Sequence, residues 1–402
     1  MGNAWTGLNE KTFFEYEKRM LVHSGLPLDS FEIFNVETDE DKNFTRTIRV
    51  GDKSKPIMVL VHGYGGSGVM YWKIIKPLSE QYNLYLLDII GMGGSSRPKV
   101  NFKNSAEADE YFIKWFESWR INVGINEKFI LSGHSFGGYI CGLYASRYHH
   151  NIRKLQMLSA AGVTRYPENF DIWSYFMRFP EGQRPPKFAM TWGSKVWKRK
   201  WSPFGFMRKL GRGFVSCLLN GYIKRRFNTV PKHEVQDYKV YLHQTLLREG
   251  STEYCIFVCF DYMMFAHHPL EDNDRLGNLS IPISFFFGDR DWMMQEGGNA
   301  VVDKNPYKGT HSNIYIINNS DHHMYFDNPE EFAQKILQDL ENLTEFEQQQ
   351  LALQNGQNTL LPTESKPVTG KSQTKNIQIE DDPQESLYDK QYSQNQVLNL
   401  AN

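Results

Sequence analysis

The sequence is short of cysteine: four in 402 residues, with no Cys-x-x-Cys pair and no histidine spaced as a zinc partner. That argues against a disulfide framework and a zinc ribbon, and predicts Cys141, Cys217, Cys255 and Cys259 as free buried thiols of a reducing compartment. Long apolar runs are missing too. No stretch of about eighteen apolar residues occurs, so no transmembrane helix is expected. The opening MGNAWTGLNEKTFF carries early acids and no apolar centre, so no secretory signal is expected. An excess of one charge is also lacking. Lys and Arg number 45 against 46 Asp and Glu, which gives no reason to expect nucleic acid as a partner. No internal repeat is visible.

What is present is a pattern of short apolar runs. MVLVHG ends at Gly63, LYLLDII at Ile90, FILSG at Gly133 and KLQMLSA at Ala160. Each is followed by a glycine-rich turn or a helical stretch, as buried parallel strands are. In EYFIKWFESWRINVGI, Phe112, Phe116, Trp119 and Val123 recur at helical spacing. Strand and helix in alternation predict a doubly wound, mostly parallel sheet. From about Thr164 the strand signals stop. They resume with PISFFFG, through Gly288, and NIYIIN, through Asn318. A last helix is expected from Pro329, with Phe332, Ile336, Leu340 and Leu343 on one face.

The chain thus divides into an N-terminal segment (1–30), a first core part (31–163), a helical lid insertion (164–274), a second core part (275–344) and a tail (345–402). The tail is Gln-, Asn-, Ser- and Lys-rich, and a disordered state is expected for it because it buries too little surface to offset chain entropy.

Five motifs fall at predicted strand ends. GHSFGG, Gly133 to Gly138, fits the Gly-x-Ser-x-Gly elbow, with Ser135 as nucleophile on a tight turn and Gly133 and Gly137 leaving room for strand and helix to pass. The alternative is a tight glycine turn of an ordinary βα unit. HGYGGSG, His62 to Gly68, supplies backbone N–H groups for an oxyanion, Tyr64 being the candidate there and Phe136 the candidate after the nucleophile. No Gly-Lys-Ser/Thr follows, so it is not a P-loop. GDRDW offers Asp289 and Asp291 as triad acids. The Gly-x-x-Asp spacing favours Asp291, and Asp289 suits a turn. SDHHMYFDNPEEF offers His322 and His323 as base. His322 is favoured by its distance from the final helix, for which Asn328, Pro329 and Glu331 form a start signal. The order Ser, Asp, His is the one this elbow uses. DIIGMGGSSRP, from Asp88, is expected to shape the fold.

Together HGYGGSG, DIIGMGGSSRP, GHSFGG, GDRDW and HHMYFDNPEEF resemble the α/β-hydrolase superfamily, and within it the abhydrolase-domain four/five subfamily. YEKRML, Tyr16 to Leu21, and WRINVGI, Trp119 to Ile125, look like further segments of it. The resemblance runs from about Glu15 to Leu343, and the lid is far less similar. It implies an α/β-hydrolase fold and a serine hydrolase of lipid acyl esters, of phospholipase or lysophospholipase type. A lysophosphatidic acid or lysophospholipid acyltransferase and a non-catalytic lipase regulator are the alternatives. Co-activators of the family carry asparagine at the elbow, where this chain keeps Ser135. The resemblance also links a His-x-x-x-x-Asp motif to acyl transfer, which His322 and Asp327 match. No metal or organic cofactor is required by this chemistry.

Lys187 to Arg226 holds eleven Lys or Arg and no Asp or Glu, with Trp192, Trp197, Trp201, Phe204 and Phe206 among them. This suits an anionic lipid surface; the alternative is a solvated basic face over an aromatic lid core. Met1-Gly2-Asn3-Ala4-Trp5-Thr6 fits the pattern for N-myristoylation at Gly2, the alternative being a frayed, unmodified terminus. The expectation is a cytoplasmic protein held peripherally at a membrane or lipid droplet, a mitochondrial membrane being one alternative. Oligomeric state is not legible.

Overall fold

The computed structural model describes residues 7–171, 187–227 and 230–354. Its strands are β1 (Phe31–Glu37), β2 (Phe44–Val50), β3 (Ile57–Val61), β4 (Asn83–Leu87), β5 (Phe129–His134), β6 (Ile152–Leu158), β7 (Ile283–Gly288) and β8 (Ile314–Ile317). They form one eight-stranded sheet in the order β1-β2-β4-β3-β5-β6-β7-β8. Pairing from β4 through β8 is parallel, while β1–β2 and β2–β4 are antiparallel. The sheet is therefore mostly parallel, as the apolar runs imply.

The helices of eight or more residues are α1 (Glu10–Val22), α2 (Trp72–Ser79), α3 (Ser105–Asn122), α4 (Phe136–Tyr148), α5 (Lys187–Lys198), α6 (Pro203–Arg226), α7 (Lys232–Leu246), α8 (Glu296–Lys304) and α9 (Pro329–Gln354). Among the described residues no helix is long and apolar enough to cross a membrane. Both faces of the sheet are covered. One face packs Val59, Val61 and Leu131 with α3 and α4; the other packs Met58, Leu60 and Leu84 with α2 and α9. Central strands buried on both sides must be apolar throughout, and β3 is.

Polar groups fix the register of the layers. Trp115 and Trp119 of α3 donate their indole N–H groups to Thr45 and Thr47 of β2 at 2.8 and 3.0 Å. On the other face Lys154 of β6 pairs with Asp339 of α9 at 2.7 Å, and Gln156 and Ser284 donate to the same carboxylate. Such a fully bonded buried pair specifies one docking of α9, since removal of either partner costs about 3–5 kcal/mol. Phe332, Ile336, Leu340 and Leu343 of α9 are all buried, as expected.

Two expectations need correction. The tail was expected from residue 345, but α9 continues to Gln354. Arg153 of β6 pairs with Glu347 at 2.5 Å, and Phe346 packs on His311 at 4.2 Å, so the helix keeps tertiary partners beyond that boundary. The tail beyond 354 and the Gly2 anchor lie outside the described residues. Cys217 is exposed rather than buried; Cys141, Cys255 and Cys259 are buried, and all four are free.

Between β6 and β7 the long described elements are the helices α5, α6 and α7. α7 packs against α1, where His23 meets Asp237 at 3.0 Å and Gln244 accepts from Asn9 N–H at 2.8 Å. α6 begins over the loop that follows β3. Phe204 stacks on Tyr64 with ring centroids 5.1 Å apart. The lid aromatics split into two sets. Trp197 packs inward on Phe257 at 4.7 Å, whereas Trp192, Trp201 and Phe206 are exposed beside exposed Lys195, Lys198, Arg199, Lys200 and Lys209.

Candidate active site

β5 ends at His134, and Ser135 turns the chain into α4 with φ 54° and ψ −118°. A side chain at such a φ is strained, and the turn holds it because nothing larger than hydrogen fits its flanks. A Cβ on Gly137 would fall 2.3 Å from the carbonyl oxygen of His62, and one on Gly133 would fall 2.5 Å from that of Gly137. Backbone bonds brace the turn against the end of β6: Ser135 N–H donates to the Leu158 carbonyl and Ala161 N–H to the Ser135 carbonyl, both at 3.0 Å. Phe136, the first residue of α4, has one of the N–H groups a helix start leaves without an intrahelical acceptor.

The loop after β3 closes on the same point. Gly66 N–H donates to the Gly63 carbonyl at 3.0 Å, and Gly65 sits at φ 71°, giving a tight turn with Tyr64 at its corner. A Cβ on Gly63 would lie 3.0 Å from that of Ser135. His62 fixes this loop. Its Nε2 accepts from Ile89 N–H at 2.9 Å, so Nδ1–H donates to the Gly63 carbonyl at 2.7 Å. Burial lowers its pKa to about 4, so the ring is neutral and this tautomer is kept.

His322, in the loop after β8, is 5 % exposed. Its Nδ1 lies 3.3 Å from Asp291 Oδ1, which also accepts from Met293 N–H at 3.0 Å. Burial pushes the Asp291 carboxyl up, but the bond and charge of His322, the Met293 N–H and the Ser159 hydroxyl outweigh it, and the net pKa is below the ordinary value. Asp289 serves elsewhere: its carboxylate accepts from Asn319 and Ser320 N–H at 3.0 and 2.9 Å, pinning the turn after β8. Asp327 accepts from Asp321 N–H at 2.8 Å and so braces the backbone beside His322. The neighbouring His323 ring stacks on Phe326 at 5.9 Å. Asn328 starts α9: its Nδ2 donates to the Glu331 carboxylate at 2.8 Å and its Oδ1 accepts from Glu331 N–H at 3.4 Å.

Three residues here carry no sequence signal. Ser159, just past β6, places its Oγ 2.7 Å from His322 Nδ1. His134 places Nε2 2.8 Å from the His322 carbonyl oxygen. Trp292 packs its ring 5.2 Å from the imidazole. The Asp88 loop is structural: the buried carboxylate accepts from Gly68 and Gly94 N–H at 2.6 Å each. Two clusters elsewhere present metal-ligand atoms, His23, His233 and Glu234, and His268, Asp272 and Asp274. Lys73 pairs with Glu234 and Arg165 with Asp272, so a cation at either would compete with an existing one.

Sheet order, strained serine turn and the two loops that meet it define the α/β-hydrolase class. The family described as "alpha/beta hydrolase fold" matches residues 56–196. The carboxylesterase CesB from Bacillus subtilis superposes with a TM-score of 0.55 over 82% of this chain and 96% of that one, at 19% identity. The chain has the α/β-hydrolase fold, and the proteins it is similar to in sequence bear acyltransferase and lipase names. It is 27% identical over 330 residues to a 1-acylglycerol-3-phosphate O-acyltransferase of Arabidopsis thaliana, covering 80% of this chain and 75% of that protein. It is 26% identical over 298 residues to the human (lyso)-N-acylphosphatidylethanolamine lipase, covering 73% and 82%.

Proposed function

We propose that the protein is a serine acyl hydrolase of lipid esters, working through an acyl-enzyme on Ser135. The observation that carries this reading is the strained Ser135 turn directly after His134, whose ring holds the backbone of the buried His322, with His322 Nδ1 facing Asp291. With Nδ1 so engaged, Nε2 is the nitrogen left to take the Ser135 proton as Oγ attacks the ester carbonyl. Asp291 stabilises the imidazolium that forms. Tyr64 and Phe136 N–H groups meet the oxyanion. His322 then protonates the leaving alkoxide, and water, activated by the same imidazole, releases the acid and restores Ser135 Oγ–H.

The lid supports a lipid substrate. Its exposed tryptophans and lysines suit an anionic interface, and Phe204 at the start of α6 stacks on Tyr64 of the proposed oxyanion loop. The place of work on this reading is a cytoplasmic membrane or droplet surface, with a Gly2 acyl anchor as a second contact. An acyl-transfer reading, in which a lysolipid hydroxyl replaces water, is favoured by the name of the Arabidopsis relative and by the spacing of His322 and Asp327. A non-catalytic regulator is disfavoured by Ser135 itself.

Chromatography of products from an acyl-labelled phospholipid decides among these, run with and without acyl-CoA and a lysolipid acceptor. Hydrolysis predicts free labelled fatty acid under all conditions. Label moving to the lysolipid at the expense of fatty acid would replace hydrolysis with transfer, and no turnover at all would leave the regulator.

A further inference from the structure

We infer that Ser159 is a positioning residue of the His322 base, its hydroxyl sharing the imidazole Nδ1 with Asp291 so that only the Nδ1-protonated tautomer is held. The inference rests on the acyl-hydrolase reading for its kinetic consequence and on geometry for the rest.

Ser159 is fully buried and follows the last residue of β6. Its φ is 46°, a left-handed conformation that a residue with a side chain adopts at a cost, and its N–H donates to the Phe286 carbonyl of β7 at 2.7 Å. A glycine would take this turn without strain, so the hydroxyl is what the strain accompanies. Oγ lies 2.7 Å from His322 Nδ1, closer than Asp291 Oδ1 at 3.3 Å. The nearest hydrogen-bond partner of the imidazole is thus a group that can either accept or donate.

That ambiguity matters. A hydroxyl donating to Nδ1 would force the proton onto Nε2, the nitrogen that must be free to act as base. Asp291 removes the choice. Its side chain is buried, and its Oδ2 has no hydrogen-bond partner among the described residues. A buried carboxylate short of donors is an acceptor for the Ser159 O–H, which leaves an Oγ lone pair to accept from Nδ1–H. On this account Asp291 acts on the histidine partly through Ser159, and loss of the carboxylate turns Ser159 from a help into a hindrance. His134 adds to the fixation from the backbone side, through the His322 carbonyl.

The test is a two-by-two set of Ser159→Ala and Asp291→Asn on a soluble short-chain ester. Ser159→Ala should lower kcat about tenfold with KM unchanged, the usual scale for one hydrogen bond. In the Asp291→Asn background the same change should cost nothing, or recover activity, because the two residues act as one unit. Equal losses in both backgrounds, or no loss in the first, would overturn the proposal. Ser159→Gly, which accepts φ 46° without strain, carries the same test if the alanine variant does not fold. A second readout needs no turnover: nitrogen-15 histidine spectra recorded in Ser135→Ala. The parent should show the Nδ1–H tautomer of His322, and Asp291→Asn should shift it toward Nε2–H only while Ser159 is present. A tautomer indifferent to Ser159 would overturn the role even if hydrolysis is confirmed; an Nδ1–H tautomer dependent on Ser159 would stand even if hydrolysis is not.

Discussion

His134 Nε2 donates to the carbonyl oxygen of His322 at 2.8 Å, so the residue before Ser135 holds the backbone of the proposed base. Tyr325 O–H lies 3.3 Å from the other ring nitrogen. Burial, then the neighbouring His322, pushes the His134 pKa well below its ordinary value, and the ring donates as a neutral imidazole. His134→Ala should lower kcat about tenfold and stability by about 2 kcal/mol, since it removes a buried bond and leaves a cavity. His134→Gln, which can still donate, should recover part of both. Steady-state kinetics and thermal melting check this, and full activity in the alanine variant would contradict it.

The two aspartates after β7 should separate cleanly. Asp291→Asn should lower turnover by about 10²- to 10⁴-fold through loss of histidine orientation. Asp289→Asn should leave the kinetics near normal and lower the melting temperature, because its carboxylate holds Asn319 and Ser320 N–H. The reverse pattern would move the acid to Asp289.

Acid should destabilise the fold through His62. Its pKa falls from 6.5 to about 4 on burial, so between these values the unfolded chain binds the proton and the folded one does not. Stability is therefore complete above about pH 6.5 and declines as pH drops toward 4, by on the order of 3 kcal/mol from this group. His62→Gln should flatten that part of the melting-temperature profile. A profile as steep as that of the parent would show that His62 does not contribute.

How much of this was legible follows from what each element faces. β3 and β5 are wholly buried and read as apolar runs, but β1 and β2, FEIFNVE and FTRTIRV, mix polar with apolar residues and carry no such signal. Ser135, Asp291 and His322 stood out because each follows a strand with fixed local spacing. Ser159 and His134 did not, because their partner lies 163 and 188 residues away and only the sheet order brings them together. The end of α9 was missed for the same reason: a polar helix gains its partners Arg153 and His311 from elsewhere in the chain.

The lid offers a test of where the protein works. Replacing exposed Lys198, Arg199 and Lys200 with Gln should weaken binding to anionic vesicles, since each basic residue near such a surface contributes about 1 kcal/mol. Hydrolysis of a soluble ester should be unchanged. Equal vesicle binding by parent and variant, measured by co-sedimentation at moderate salt, would leave these residues as a solvated face.

The most direct measurement concerns Ser135. The parent should react with a fluorophosphonate probe, and the peptide spanning residues 129–147 should carry one adduct, on Ser135. Ser135→Ala should not be labelled and should lose at least about 10³-fold in turnover while melting near the parent temperature. An adduct on another residue, or an alanine variant that still turns over at the parent rate, would contradict the account.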